Sequence, residues 1–263
     1  MTPAALAPST TSSARRAEVF LVAGTGVLCM VALLAPALAQ DPAYHRFADA
    51  RTLLGVPRAM DVLSNAALVL SGLCGVALMA ARRLALFSQT LRVSAAVFFL
   101  GFAFTGVGSA HYHLAPDDAR LAVDRLCMVV AFGGILGLVA TQRVSERAGA
   151  ALLVFALLAG PASVVWWVAT GSVTPYAVLQ FGGMLTAVLC LLGRPRGQGP
   201  TWTVLLLGYT LAKTAEHFDA GVFVLTQELV SGHTLKHVLA ALSAWAVIVP
   251  LATAGRAHLA RTR

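Results

Sequence analysis

The chain is a succession of apolar stretches, each close to the ~20 residues that a helix needs to cross a bilayer. They cover 18–38, 61–81, 93–113, 121–140, 149–169, 174–193, 201–218 and 232–254. Short separators carry helix breakers or charge: Arg82-Arg83, Ala115 to Asp118, Arg143 to Arg147, Gly171 to Pro175, and Gly193 to Gly197. The seventh stretch is the least clean, because Lys213, Glu216, His217 and Asp219 crowd its second half. No internal repeat is visible, and no room is left for a second, soluble domain. The pattern predicts an all-α fold: a polytopic membrane helical bundle of seven core transmembrane helices plus an N-terminal hydrophobic segment.

Residues 1–40 hold that segment, 41–254 the seven-helix domain, and 255–263 a basic tail. Arg15-Arg16, an apolar core and Ala37-Leu38-Ala39 before Gln40-Asp41 fit a signal peptide with its small-residue cleavage site. They fit a first transmembrane helix equally well, and the sequence leaves both readings open.

Composition agrees with a membrane protein. Of 263 residues, 58% are hydrophobic and 11% charged, against about 25% charged in soluble domains, and the mean hydropathy is +0.79. The formal charge of +8 comes almost wholly from arginine. Those arginines are split among short inter-helix segments, which reads as topology and excludes a nucleic-acid patch. Clusters at Arg15/Arg16, Arg82/Arg83, Arg143/Arg147, Arg194/Arg196 and Arg256/Arg261/Arg263 fall at alternate helix ends. Both termini are therefore expected in the cytoplasm if residues 1–40 are retained, as in a bacterial inner-membrane protein. Cys29, Cys74, Cys127 and Cys190 are scattered singly through apolar runs and read as small core residues.

Against that topology a set of costly polar residues falls at one depth. His113 closes its stretch on the outer side, and Asp124 lies about two turns into the next, with Asp117 or Asp118 available as its N-cap. His233 and His237 open the last stretch from the same side. Ser109 and His113 are four residues apart and share a helical face, as do His233 and His237. Three imidazoles with a fourth position open to water match the ligand set of a catalytic zinc site. Ser109 and Asp124 would face that water, the carboxylate moving protons and the hydroxyl orienting the nucleophile or an oxyanion. A single His-x3-His pair is weak evidence; the coincidence with Ser109 and Asp124 strengthens it. His111 points to the opposite side, and His45 and His258 receive no role.

Other polar residues have two readings each. Asp61 and Asn65, with Ser64 beside them, either line the entrance for a lipid substrate or cap their helix. Lys213 and Glu216, three apart, form a paired cluster with Asp219 or bind a substrate headgroup. Lys236 points about 100° away from His237 and is expected to snorkel outward.

Gly108-Ser-Ala-His-Tyr-His113, Asp124 eleven positions on, Ser231-Gly-His-Thr-Leu-Lys-His237 and Asp61-Val-Leu-Ser-Asn65 together resemble the alkaline ceramidase family. That family lies within a seven-helix membrane hydrolase superfamily that includes the adiponectin and progestin receptor-like proteins. The resemblance covers roughly 41–254. It implies zinc held by His113, His233 and His237, with Ser109 and Asp124 beside the water. The implied reaction cleaves the amide of a ceramide-like membrane lipid to a fatty acid and a sphingoid base. The calcium site that animal members carry before the first family helix is not expected here, since 41–58 offers only Asp41 and Asp49, no glutamate and three arginines. Superfamily kinship also allows a receptor-like or lipid-binding protein with structural zinc, or a hydrolase of another lipid amide or ester. A haem-carrying electron-transfer protein with His113 and His237 as axial ligands is a third class.

Overall fold

The computed structural model describes residues 10–80, 87–193 and 200–261. Arg82, Arg83, Arg194, Arg196 and Arg263, which carry part of the expected charge alternation, lie outside the described residues. The helices run α1 (Thr10–Leu34), α2 (Ala59–Ala80), α3 (Gln89–Leu114), α4 (Asp118–Arg143) and α5 (Glu146–Thr170). They continue as α6 (Thr174–Ala177), a π turn (Val178–Gly182), α7 (Gly183–Leu191), α8 (Trp202–His217), α9 (Asp219–Leu225), α10 (Gly232–Ser243) and α11 (Trp245–Arg261). Among the described residues the only extended pairings are two isolated bridges, so the fold is all-α.

Among the described residues, seven helical segments are long and apolar enough to cross a bilayer: Ser12–Leu34, Ala59–Ala80, Gln89–Leu114, Asp118–Arg143, Glu146–Thr170, Thr174–Leu191 and Gly232–Thr253. The chain is an integral, multi-pass membrane protein. The 201–218 stretch departs from expectation. It forms α8, of 16 residues, about 24 Å long at 1.5 Å per residue and short of the ~30 Å hydrocarbon layer. The helix breaks at Phe218, where polar residues accumulate, and α9 follows from Asp219. The seven segments thus include the N-terminal one. That helix, α1, buries none of its apolar window and leans on α6 and the π turn from the periphery.

Side-chain caps start four of the helices. Ser88, Asp117, Ser145 and Ser231 each accept a hydrogen bond from the backbone N–H three residues on, satisfying a donor that the helix itself leaves free. Asp117, not Asp118, is the cap of α4. α5 ends on Gly171 at φ +74°, the left-handed cap that glycine adopts without strain.

Lipid tails are as apolar as leucine, so helix association in a bilayer rests on close packing of small residues. α3 and α4 make the most extensive contact in the bundle. A Cβ on Gly101 would stand 2.3 Å from the Ala131 nitrogen, which is why glycine sits there. Around this seam Phe98, Phe99, Leu138 and Val139 are buried. α10 packs on α8 and α2, which brings its first turns beside the last turn of α3 and the first turns of α4. Across this end of the bundle lies the segment 41–58, opened by a 3-10 turn (Pro42–His45).

Candidate metal centre

His113, His233 and His237 converge at that end, all buried, with their ligand nitrogens within 4.8 Å of one another. Ring centroids lie 4.7 Å apart for His113 and His233, 5.0 Å for His233 and His237, and 5.2 Å for His113 and His237. The Nε2 atoms of His113 and His233 are 3.1 Å apart. Two nitrogens on a tetrahedral ion with bonds of 2.0–2.1 Å would stand about 3.3 Å apart. The cluster therefore has the spacing of a metal site without rearrangement of its helices.

The hydrogen bonds around the rings also suit an ion. Ser64 Oγ donates its one proton to the Asp61 carbonyl at 3.1 Å. It must then accept from Nδ1 of His237, 2.8 Å away. That tautomer leaves the lone pair of His237 on Nε2, facing the cluster. Ser109 Oγ lies 3.4 Å from the same Nε2. Nδ1 of His113 is buried without a hydrogen-bond partner among the described residues. Three buried, mutually facing imidazoles are costly to maintain; a divalent cation in their midst is the chemistry that this donor set fits, and such a cluster could hold one.

Each ring is fixed by its element. His113 occupies the last turn of α3, where the Arg58 guanidinium donates to the carbonyls of His113 (2.7 Å) and Leu114 (2.9 Å), satisfying the helix end and complementing its dipole. His233 donates its backbone N–H to Asp219 at 2.7 Å. Gly232 before it lets α10 approach α8, since a Cβ there would meet the Ala215 carbonyl oxygen at 2.1 Å. The aromatic ring of Phe47 stands 4.6 Å, centroid to centroid, from both His113 and His233 and covers the cluster.

Beside the histidines a cavity of about 170 Å³ opens among α3, α4, the π turn, α8 and α10; Ser109, Asp124, His233 and His237 all line it. Asp124 is buried, and its Oδ1 has no partner among the described residues. The five residues that the sequence grouped are thus brought together, four of them on the cavity wall.

The remaining expectations fare differently. Lys213 and Glu216 do pair and line the cavity. Lys236 does not snorkel outward: Glu216 draws its Nζ inward to 2.8 Å, and it too faces the cavity. Asp219 does not join that cluster, because both its oxygens are taken by backbone N–H groups, of His233 (2.7 Å) and Ala48 (2.9 Å). Asp61 and Asn65 are buried away from the cavity wall. Thr234 donates to Asp61 Oδ1 at 2.6 Å, Ser231 Oγ lies 3.2 Å from it, and Asn65 donates to the Asp61 carbonyl at 2.8 Å. Asp61 thus braces α2 against the start of α10, Asn65 bonds within α2, and neither side chain caps α2. Asp41 caps the 3-10 turn, and Asp49 is bound by Arg51 at 2.6 Å. His111 is exposed on the opposite face.

Sequence reasoning passed over His45, whose Nδ1 lies 3.0 Å from the Tyr112 hydroxyl and Nε2 3.2 Å from Asp118. It also passed over Phe47 and Arg58, which no motif marks in a loop. Arg125 was missed although a signal existed, an arginine well inside an apolar stretch. Compared with known proteins, the chain matches no family model and no curated protein.

Proposed function

We propose that this protein is a zinc-dependent integral-membrane hydrolase that cleaves the amide bond of an N-acyl lipid, similar to the alkaline ceramidases. The observation that carries the proposal is the convergence of His113, His233 and His237 beside a buried, unpartnered carboxylate oxygen on a cavity wall. A purely structural metal site needs neither Asp124 nor Ser109. Zinc is the natural ion for three neutral imidazoles, and when bound it supplies a Lewis acid and a water with a pKa near 7. His113, His233 and His237 would hold it.

The chain's own residues then divide the work. Asp124 takes a proton from the attacking water through its free Oδ1 and returns it to the departing nitrogen, so that water adds to the carbonyl carbon as the C–N bond breaks. Ser109, within reach of the same region, donates to the oxygen on which negative charge develops. Phe47 keeps bulk water from the histidines. The acyl chain lies between helices along the apolar part of the cavity, which Leu68, Phe98, Phe102 and Ile135 line. By arginine placement the site faces the outer side of the membrane.

Purified protein is expected to carry about one zinc per chain and to release fatty acid from a ceramide or a related N-acyl lipid, with loss on chelation and recovery on adding zinc. Asp124→Asn should keep the zinc and lose turnover by roughly 10²–10⁴-fold. Normal hydrolysis by that variant would remove Asp124 from the reaction. Metal-loaded protein without activity toward any N-acyl lipid would favour a receptor-like role.

A further inference from the structure

Arg125 follows Asp124 on α4 and projects about 100° further around the helix. It is 4% exposed, yet it makes no ion pair among the described residues. Its guanidinium lies over Trp167 at 4.2 Å, Tyr176 at 4.7 Å and Tyr44 at 5.6 Å. Nη2 donates to Gln40 at 2.5 Å. Nη1 is buried and has no partner among the described residues. Arg125, Tyr44 and Tyr176 belong to the wall of the same cavity that holds Ser109, Asp124 and two of the histidines.

Aromatic faces soften the burial of a guanidinium but leave its charge and its in-plane donors unmatched. A buried cation with an idle N–H on a cavity wall is matched best by an oxyanion, which a guanidinium holds through charge-assisted, often bidentate bonds. The charges of the cavity point the same way. Three cations line it (Arg125, Lys213, Lys236) against two carboxylates (Asp124, Glu216). Glu216 is engaged by both lysines, and Asp124, the other carboxylate, forms no ion pair with Arg125 among the described residues, so the lining keeps a net positive charge. Were Arg125 only a staple joining Gln40 and Tyr44 to α5 and α6, nothing would require it to line the cavity while one of its donors stays unpaired among the described residues.

We infer that Arg125 binds an anionic group of the lipid substrate, a carboxylate or a phosphate carried near the scissile amide. The substrate class is then acidic N-acyl lipids, such as N-acyl amino acids, in preference to neutral ceramides. The bond that is cut rests on the hydrolase reading; the anion site does not.

The test separates the two. Binding to the full-length protein as purified, in a neutral detergent, is measured with N-(hexadecylsulfonyl)glycine, its methyl ester, and N-(hexadecylsulfonyl)-O-phosphoethanolamine. The sulfonamide linkage resists hydrolysis, so binding is read without turnover. At least one of the two anions should bind about tenfold or more tighter than the ester, and which anion wins identifies the source of the charge. Arg125→Gln should erase that difference while ester binding stays unchanged, and Arg125→Lys should restore part of it. Equal affinity of the wild-type protein for both anions and the ester overturns the inference whatever the variants do, as does a loss in Arg125→Gln that strikes all three ligands alike. In parallel, amide hydrolysis of N-palmitoylglycine is compared with that of its methyl ester. Anion-selective binding without hydrolysis of either would sink the hydrolase and leave the site standing. Hydrolysis with no charge preference in binding would do the reverse.

Discussion

Ser64 has a single proton, and its destination decides which nitrogen His237 offers the cluster. Because the Asp61 carbonyl takes that proton, His237 donates from Nδ1 and presents Nε2. A ligand histidine held in this way keeps its tautomer and ring orientation, and removal of such a support typically lowers metal affinity about 10–100-fold. Ser64→Ala is expected to weaken zinc binding by that factor, read by competition with a chromogenic chelator, while the helical content stays unchanged. Unaltered affinity would mean that the ring is oriented by packing alone. At the same scale Lys236 shows why sequence geometry misleads: the 100° offset from His237 is correct, but the neighbouring direction holds Glu216 rather than lipid.

Among elements, the first two turns of α10 decide the site, because two of the three histidines ride on them. Their position is set by Ser231 as cap, by Asp219 on the His233 N–H, and by the bare face of Gly232 against α8. A methyl group on Gly232 would overlap the Ala215 carbonyl, and backbone cannot swing aside as a side chain can. Gly232→Ala should lower the melting temperature in detergent, by an overpacking cost of about 1–3 kcal/mol, and should reduce bound zinc per chain. If the variant melts like the wild type with full zinc, the close approach of α10 and α8 is not what positions His233. The shortness of α8 belongs to this scale too: its second half carries Lys213 and Glu216 onto the cavity wall.

For the whole molecule, the segment 41–58 closes one end of the bundle and connects helices far apart in sequence. Phe47 rests on the histidines, Ala48 on Asp219, Arg58 on the end of α3, and Arg51 on Asp49 and the Leu229 carbonyl. The Arg51 guanidinium, by its hydrogen bond to the carboxylate, holds Asp49 below the ordinary aspartate value of 3.8. A folded-state value below the unfolded one stabilises above the unfolded value, and the contribution disappears as pH falls through the folded value. Asp49→Asn should therefore melt below the wild type at pH 7, and the gap should narrow as the pH is taken below about 4. Equal melting temperatures at pH 7 would show that the pair contributes nothing to closing this end.

Uninterrupted apolar runs of membrane length leave the backbone no option but helix, so the all-α membrane bundle was readable from hydropathy alone, and a cap at Asp117 or Asp118 from the polar turn before α4. The grouping of Ser109, His113, Asp124, His233 and His237 was readable as well, because helical spacing and depth in a membrane are both linear along the chain. Packing is not linear. The bracing role of Asp61, the inward turn of Lys236, the cover provided by Phe47 and the unpaired donor of Arg125 each depend on which helix stands next to which. Only the folded bundle decides that, through the close approaches that its glycines permit.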